Sequence, residues 1–255
     1  MNAHEFPILE HDATLTAFLE PSTIVKPVDV SPHCVLCFFD KEITDLIQAM
    51  PSRVAAVQRS SLGEHPLYEI DWYGRKVAVA HAGLGAPLAI GLMEEIIARG
   101  CRKFIACGSC GALDKQLVCG HLVVPTSAIR DEGTSYHYLP PSREVSADPV
   151  PVAAIEATLQ QAGVNYLLAK TWTTDAFYRE TPQRVKRRRD EGCMTVEMEA
   201  AAYFALAMFR NVQFGQILYA GDDLSGPKWD SRQYNQRTDV RRKVPELSIE
   251  ACLRL

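Results

Sequence analysis

An α/β fold, built as one domain around a mostly parallel central sheet, is predicted by three features of this sequence. Short apolar runs alternate with amphipathic segments from residue 33 onward, a glycine turn joins one such run to a helix, and no linker interrupts the alternation. A chain of 255 residues, 47% hydrophobic and 23% charged, suits a single large domain with a sizeable core.

Taken in order, residues 1–32 hold Pro7, Pro21, Pro27 and Pro32 without apolar periodicity, which predicts an irregular arm on the body or on a neighbouring subunit. The domain then runs over 33–255. Residues 33–39 read as a strand, 41–50 as a helix and 53–58 as a strand. Residues 77–81, 86–99 and 103–107 read as strand, helix and strand, a βαβ unit that favours parallel pairing. Further strands are predicted over 117–125, 166–171 and 214–220, and helices over 151–162 and 200–209.

Several function classes are disfavoured by composition. The formal net charge is −4, and the basic run 184–189 is followed at once by Asp190 and Glu191, so it reads as a solvated helix face and not a nucleic-acid footprint. The first ten residues lack a basic segment followed by an apolar one, and no stretch approaches the ~20 apolar residues of a membrane span, so a cytoplasmic protein without a membrane partner is expected. Eight cysteines are too few for a disulfide scaffold. Cys34 and Cys37 lie three apart in a strand and point to opposite faces, which argues against a shared metal; Cys107 and Cys110 sit among glycines that suggest a tight ligand loop. No metal is expected.

The chemistry concentrates in four places. Glu197 and Glu199 stand one residue apart at the mouth of the apolar run 195–207, where unpartnered carboxylates are costly and vicinal sugar hydroxyls would be suitable partners. Gly83 and Gly85 follow a strand and precede a helix, but Leu88 replaces the third glycine of a dinucleotide fingerprint, leaving a turn whose amides can approach a ligand. Ser109 lies in Cys107-Gly-Ser-Cys-Gly111 at a strand's carboxyl end, where open α/β sheets place ligands. Asp222 and Asp223 follow a late strand; Asp222 suits either a general acid or a helix N-cap. No nucleophile is evident.

In order, Gly83-Leu-Gly85, residues 104–113, Asp175-Ala-Phe-Tyr178, Val196-Glu-Met-Glu-Ala-Ala201 and Gly221-Asp222 resemble the purine nucleoside and uridine phosphorylase superfamily. The resemblance spans about residues 33–221, with Val196–Ala201 its most specific element. It implies a single α/β domain whose mixed, mostly parallel sheet partly closes as a barrel flanked by helices, assembled as homo-oligomers, either dimers or hexamers. It further implies that Glu199 holds the ribose hydroxyls, with Met198 against the sugar and Glu197 beside it. Phe177 would stack on the base, with Gly111, Gln183 and Arg184 as further base candidates; Ser109 and Gly85 would serve phosphate or sugar. Asp222 matches the acid that protonates a purine at N7. No cofactor is implied, and inorganic phosphate is the candidate co-substrate.

The departures from the pattern bear on the attacking group. Ala106 stands where phosphorolytic members carry an arginine, and Phe39-Asp-Lys-Glu-Ile43 stands where they read G-D-P-x-R, with Ile43 at the arginine position. An arginine fork is hard to replace at a phosphate. Arg59 is the candidate for an arginine lent to a neighbouring subunit, Lys41 and Arg130 are candidate substitutes, and His4 or His11 a candidate for insertion into a partner's site. Three functions follow: phosphorolysis of a purine nucleoside or uridine, hydrolysis of the same bond, or nucleoside binding without catalysis. Asp222 inclines the choice of base towards purine.

Overall fold

Ten strands and seven helices make up the described residues, 4–255, of the computed structural model. The order is α1 (Pro21–Ile24), β1 (His33–Cys37), α2 (Asp40–Ala49), β2 (Ser52–Ser60), β3 (Gly63–Trp72), β4 (Arg75–His81), α3 (Ala86–Arg99), β5 (Lys103–Ala112), β6 (Leu122–Asp131) and β7 (Glu144–Ser146). Then come α4 (Pro149–Gln161), β8 (Tyr166–Thr174), α5 (Pro182–Asp190), β9 (Cys193–Glu197), α6 (Ala200–Arg210), β10 (Gln213–Asp223) and α7 (Thr238–Cys252).

β5 organises the sheet. One edge pairs with β10 along its whole length; the other pairs first with β1, over Lys103–Cys107, and then with β9, at Gly111 and Ala112. The ring β5-β10-β6-β8-β9 closes on itself as a five-stranded barrel, and β1-β4-β3-β2 extends from it as an open sheet. Pairing is parallel among β1, β4, β5 and β10 and among β6, β8 and β9, whereas β2–β3, β3–β4, β6–β10 and β5–β9 are antiparallel. Closure explains why 108–112 continue as strand and do not form the tight loop expected from their glycines: barrel neighbours on both edges take up the backbone hydrogen bonds.

Strand alternation sends side chains to two cores. Cys34, Leu36, Phe104, Ala106 and Phe214 face α3 and α6, while Val35, Cys37, Ile105, Cys107, Ile217 and Tyr219 face α4 and α7. Cys34 and Cys37 therefore lie in different cores. α6 opens Ala200-Ala-Ala, so its backbone can approach the sheet closely; Tyr203 and Phe204 both pack on Phe214. It stops at Asn211, in the left-handed conformation that asparagine tolerates.

Residues 4–32 lie largely exposed, anchored by Val25 in the interior, by the Val28 N–H to Arg99 O bond and by Glu20 paired with Arg210. Among the elements absent from the sequence reading are β3, which carries Glu64, His65, Glu69 and Asp71, and α7, which contains Pro245. The strand expected over 117–125 begins at Leu122 instead and continues to Asp131, because 117–121 form a turn through Gly120 at φ 97°. Asp222 caps no helix; β10 runs through it to Asp223. No helix among the described residues is long and apolar enough to cross a membrane.

Gly215 in β10 is enforced by α4: a Cβ there would meet Pro151 Cβ at 2.9 Å and Ile155 Cδ1 at 3.0 Å. Gly215→Ala is expected to destabilise the fold by about 1–3 kcal/mol through overpacking, read from urea unfolding. An unchanged midpoint would mean that α4 moves aside without cost.

Candidate active site

A cavity of about 840 Å³, within the usual range for small-molecule sites, opens at the carboxyl ends of the sheet strands. Ser109, Gly111, Phe177, Glu197, Met198, Glu199 and Asp222 all line it. They come from β5, β9, β10 and the turns after β8 and β9, so only closure of the barrel brings them together.

The two glutamates differ in their bonding. Glu197 Oε1 accepts from Thr173 Oγ1 at 2.6 Å, and its Oε2 accepts from the backbone N–H groups of Glu199 and Ala200, each at 2.6 Å. It satisfies two orphan amides at the start of α6, where the helix dipole favours an anion. Glu199 Oε1 accepts from Gly85 N–H at 2.6 Å, and its other oxygen has no protein donor among the described residues. Gly83 and Gly85 adopt φ of 77° and 83°, which lets the turn before α3 aim that amide across the cavity. The amides expected to approach a ligand are thus directed, at Gly85, towards Glu199.

Burial pushes both carboxyls well above the usual carboxylate range, Glu199 further because Glu197 lies beside it; Glu132 and Asp175 add like charge nearby. Both are almost fully buried. The cost of two charges is relieved by keeping a proton in the pair.

Asp222 Oδ2 accepts from the indole N–H of Trp229 at 2.7 Å. The following loop is folded back by reciprocal backbone bonds between Asp223 and Asp230, and Arg232 bonds the Asp223 carboxylate. Asp223 accepts from Ser225 N–H as well, and these partners hold it below the usual carboxylate range. Of the two adjacent acids, Asp223 fastens the loop and Asp222 faces the cavity. Phe177 sits at the mouth against Tyr178, with ring centroids 4.1 Å apart.

The remaining sequence candidates lie elsewhere. Gln183 and Arg184 are exposed on α5 and do not line the cavity; Arg184 points towards Asp131 at 3.9 Å. Arg59 pairs with Glu64 across the exposed β2–β3 hairpin, and Lys41 pairs with Asp45. Arg130 is buried and committed to Ser135, Leu139, Pro140 and Ser142. His4 and His11 are not among the residues lining the chain's own cavity. Gly111 does line it, but packing alone requires glycine there, since a Cβ would meet Leu224 Cδ1 at 2.7 Å and Val196 Cγ1 at 2.9 Å.

Among the lining residues with no sequence signal of their own are Trp229, Glu180, Arg241, Gln216 and His81. Gln216 sits beside Ala106 in the β5–β10 register, fully buried, with neither end of its amide partnered among the described residues. Arg241 lies over the Phe39 ring at 4.4 Å and 3.4 Å from Glu42, and its two terminal nitrogens make no hydrogen bond among the described residues. Glu180 is half-buried and its carboxylate is likewise without a partner.

The sequence model of the phosphorylase superfamily matches residues 32–254. This chain belongs to the phosphorylase superfamily. Among relatives of this superfamily member, the guanosine phosphorylase of Halorubrum lacusprofundi is 29% identical over 191 residues, covering 71% of this chain and 78% of its own. The fold is shared with the uridine phosphorylase of Vibrio fischeri, at a TM-score of 0.75 and 24% identity over 89% of this chain and 94% of that one. It is shared too with an AMP nucleosidase of Bacteroides thetaiotaomicron, at 0.70 and 20% over 88% and 87%. Ala106 and Ile43 are buried in apolar cores, so neither position holds a cation in this superfamily member.

Because the folded protein retains protons on Glu197 and Glu199 that the unfolded chain releases near 4.5, stability of the ligand-free protein should fall as pH rises above that value, until both raised groups have ionised. Glu199→Gln is expected to flatten this slope and raise the melting temperature at pH 8. Parallel melting curves for wild type and variant across pH 5–8 would overturn the assignment.

Proposed function

We propose that this protein cleaves the N-glycosidic bond of a purine nucleoside by phosphorolysis. The observation that carries the reading is one cavity holding a singly engaged carboxylate, Glu199, together with a second acid, Asp222, and an aromatic rim at Phe177. Glu199 would accept the ribose hydroxyls while Met198 packs on the sugar. Asp222 would donate a proton to N7 of the base as the C1′–N electron pair leaves with it, and a phosphate oxygen would form the new bond at C1′. The sugar passes through an oxocarbenium-like state, so a fixed ribose and a neutralised leaving group are what the barrier demands.

Arg241 favours phosphate as the attacking group. Ser109 neighbours Tyr219 in the strand register, and Arg241 lies close enough to bear on the Tyr219 hydroxyl. A guanidinium held by Phe39 and Glu42, with free terminal nitrogens in the cavity that Ser109 also lines, would supply the fork that Ala106 and Ile43 do not. The fold does not choose, since it is shared by a phosphorylase and a nucleosidase. Gln216 supports the second reading, hydrolysis: a neutral amide with a free donor and acceptor suits a water molecule. Assembly as a homo-oligomer, with the arm reaching a neighbour, belongs to the same proposal.

The test is incubation with guanosine, inosine, adenosine and uridine, with and without phosphate, and identification of the sugar released. Phosphate-dependent sugar 1-phosphate is expected. Free ribose independent of phosphate would replace phosphorolysis by hydrolysis, and binding without turnover would leave a nucleoside-binding protein. Glu199→Gln should lower kcat/KM at least about tenfold, the loss of one charge-assisted hydrogen bond. Arg241→Gln should raise the KM for phosphate about tenfold while leaving the nucleoside KM unchanged.

A further inference from the structure

We propose that Trp229 is a positioning residue for the general acid: its indole N–H fixes which oxygen of Asp222 carries the proton and stabilises the carboxylate left when that proton moves to the base. The inference rests on the purine-cleaving reading above and adds a residue to its leaving-group step.

The segment after β10 is folded so that this indole meets this carboxylate. Asp223 and Asp230 exchange backbone hydrogen bonds of 2.8 and 3.0 Å in an isolated antiparallel bridge. That register puts residues 222 and 229 on one face as diagonal neighbours, and 223 and 230 on the other. Arg232 bonds both the Asp223 carboxylate and the Leu117 carbonyl, which ties the bridge to the barrel. Trp229 then donates to Asp222 Oδ2 at 2.7 Å. Its ring is 64% exposed, so burial does not account for its placement at the cavity edge. The other oxygen, Asp222 Oδ1, accepts no bond among the described residues and lies towards Gly111, 3.5 Å from where a Cβ on that glycine would stand.

An indole nitrogen donates and never accepts. With Oδ2 committed as an acceptor, the proton of the acid form sits on Oδ1, the oxygen on the side of the cavity-lining Gly111. As the C1′–N9 bond breaks, its electron pair passes into the base, N7 takes the Oδ1 proton and a phosphate oxygen closes the new bond at C1′. Asp222 is left as a carboxylate and recovers a proton from water once the base has gone. Across that step the indole bond changes from one between neutral groups to a charge-assisted one, so it strengthens on the way to the transition state. Such an interaction raises the rate of the chemical step and leaves substrate affinity nearly unchanged. Cys110 of β5, which also lies near Asp222, gives its thiol to Tyr219 O, and the indole is the donor that reaches the acid among the described residues.

The experiment is a double-mutant cycle on single-turnover cleavage of inosine and guanosine at saturating phosphate, in wild type, Trp229→Phe, Asp222→Asn and the pair. Trp229→Phe keeps an aromatic ring and removes the N–H; it should lower the single-turnover rate about tenfold with the nucleoside KM within about twofold. In the Asp222→Asn background, where no acid remains to be aimed, the same change should cost nothing further. Equal losses in both backgrounds, or a raised KM at an unchanged rate, would overturn the role of Trp229 and leave the purine reading standing. If wild type cleaves neither purine nucleoside, that reading fails instead, and the catalytic role of Trp229 fails with it. The bond itself is read without turnover: the Trp229 indole N–H resonance, identified by its loss in Trp229→Phe, should move in Asp222→Asn. A resonance that stays in place would overturn the positioning whatever the activity.

Discussion

The junction between β9 and α6 is held by the Glu197 carboxylate, and the cavity is arranged around that joint. Two threonine hydroxyls from β8 and two amides from the first turn of α6 converge on it, so one buried carboxyl group ties two barrel strands to a helix N-terminus. Removing one partner of such a group leaves the rest unsatisfied in a low-dielectric interior, which is why the arrangement is all or none. Glu199 follows two residues later and is thereby projected into the cavity, where Gly85 N–H from the turn between β4 and α3 meets it.

A division of labour recurs at both acid pairs. Glu197 and Asp223 are saturated by protein donors and serve the fold, while Glu199 and Asp222 each keep an oxygen for something else. The bonded acid beside each free one fixes the backbone that carries it, and the unfavourable energy of the free group is tolerable because its neighbour is stabilised. Two charged residues that line the cavity extend this pattern: Glu180 is placed by its backbone bond to Phe177 and Arg241 by the Phe39 ring, and both lack protein partners for their polar tips.

Much of the architecture was legible in the chain. The βαβ unit over β4, α3 and β5, the apolar α6 and the late strand β10 follow from apolar periodicity, because burial on one helix face or both sheet faces leaves a direct trace in residue type. β3 and α7 left no such trace: one interleaves charges that pair with neighbouring strands and loops, as Glu69 does with Arg53, and the other carries an internal proline. The glycines of 108–111 misled in the other direction, suggesting a loop where tight packing against Phe38, Val196 and Leu224 is what requires them. Gln183 and Arg184 were base candidates on the resemblance, at a shifted spacing, but α5 turns them to solvent.

By itself the sequence determined the fold class, the family resemblance and the candidate sugar clamp at Glu199, because these depend on local pattern: periodicity, a glycine turn, and carboxylates in an apolar run. Only the tertiary structure decided which acid of each pair is free, that Ala106 and Ile43 lie in apolar cores, and that Arg241, Gln216, Glu180 and Trp229 share the cavity. The reason is barrel closure. Pairing β5 with β10 and β9 brings together residues more than eighty positions apart, and whether a polar group there is satisfied depends on neighbours that no local spacing encodes.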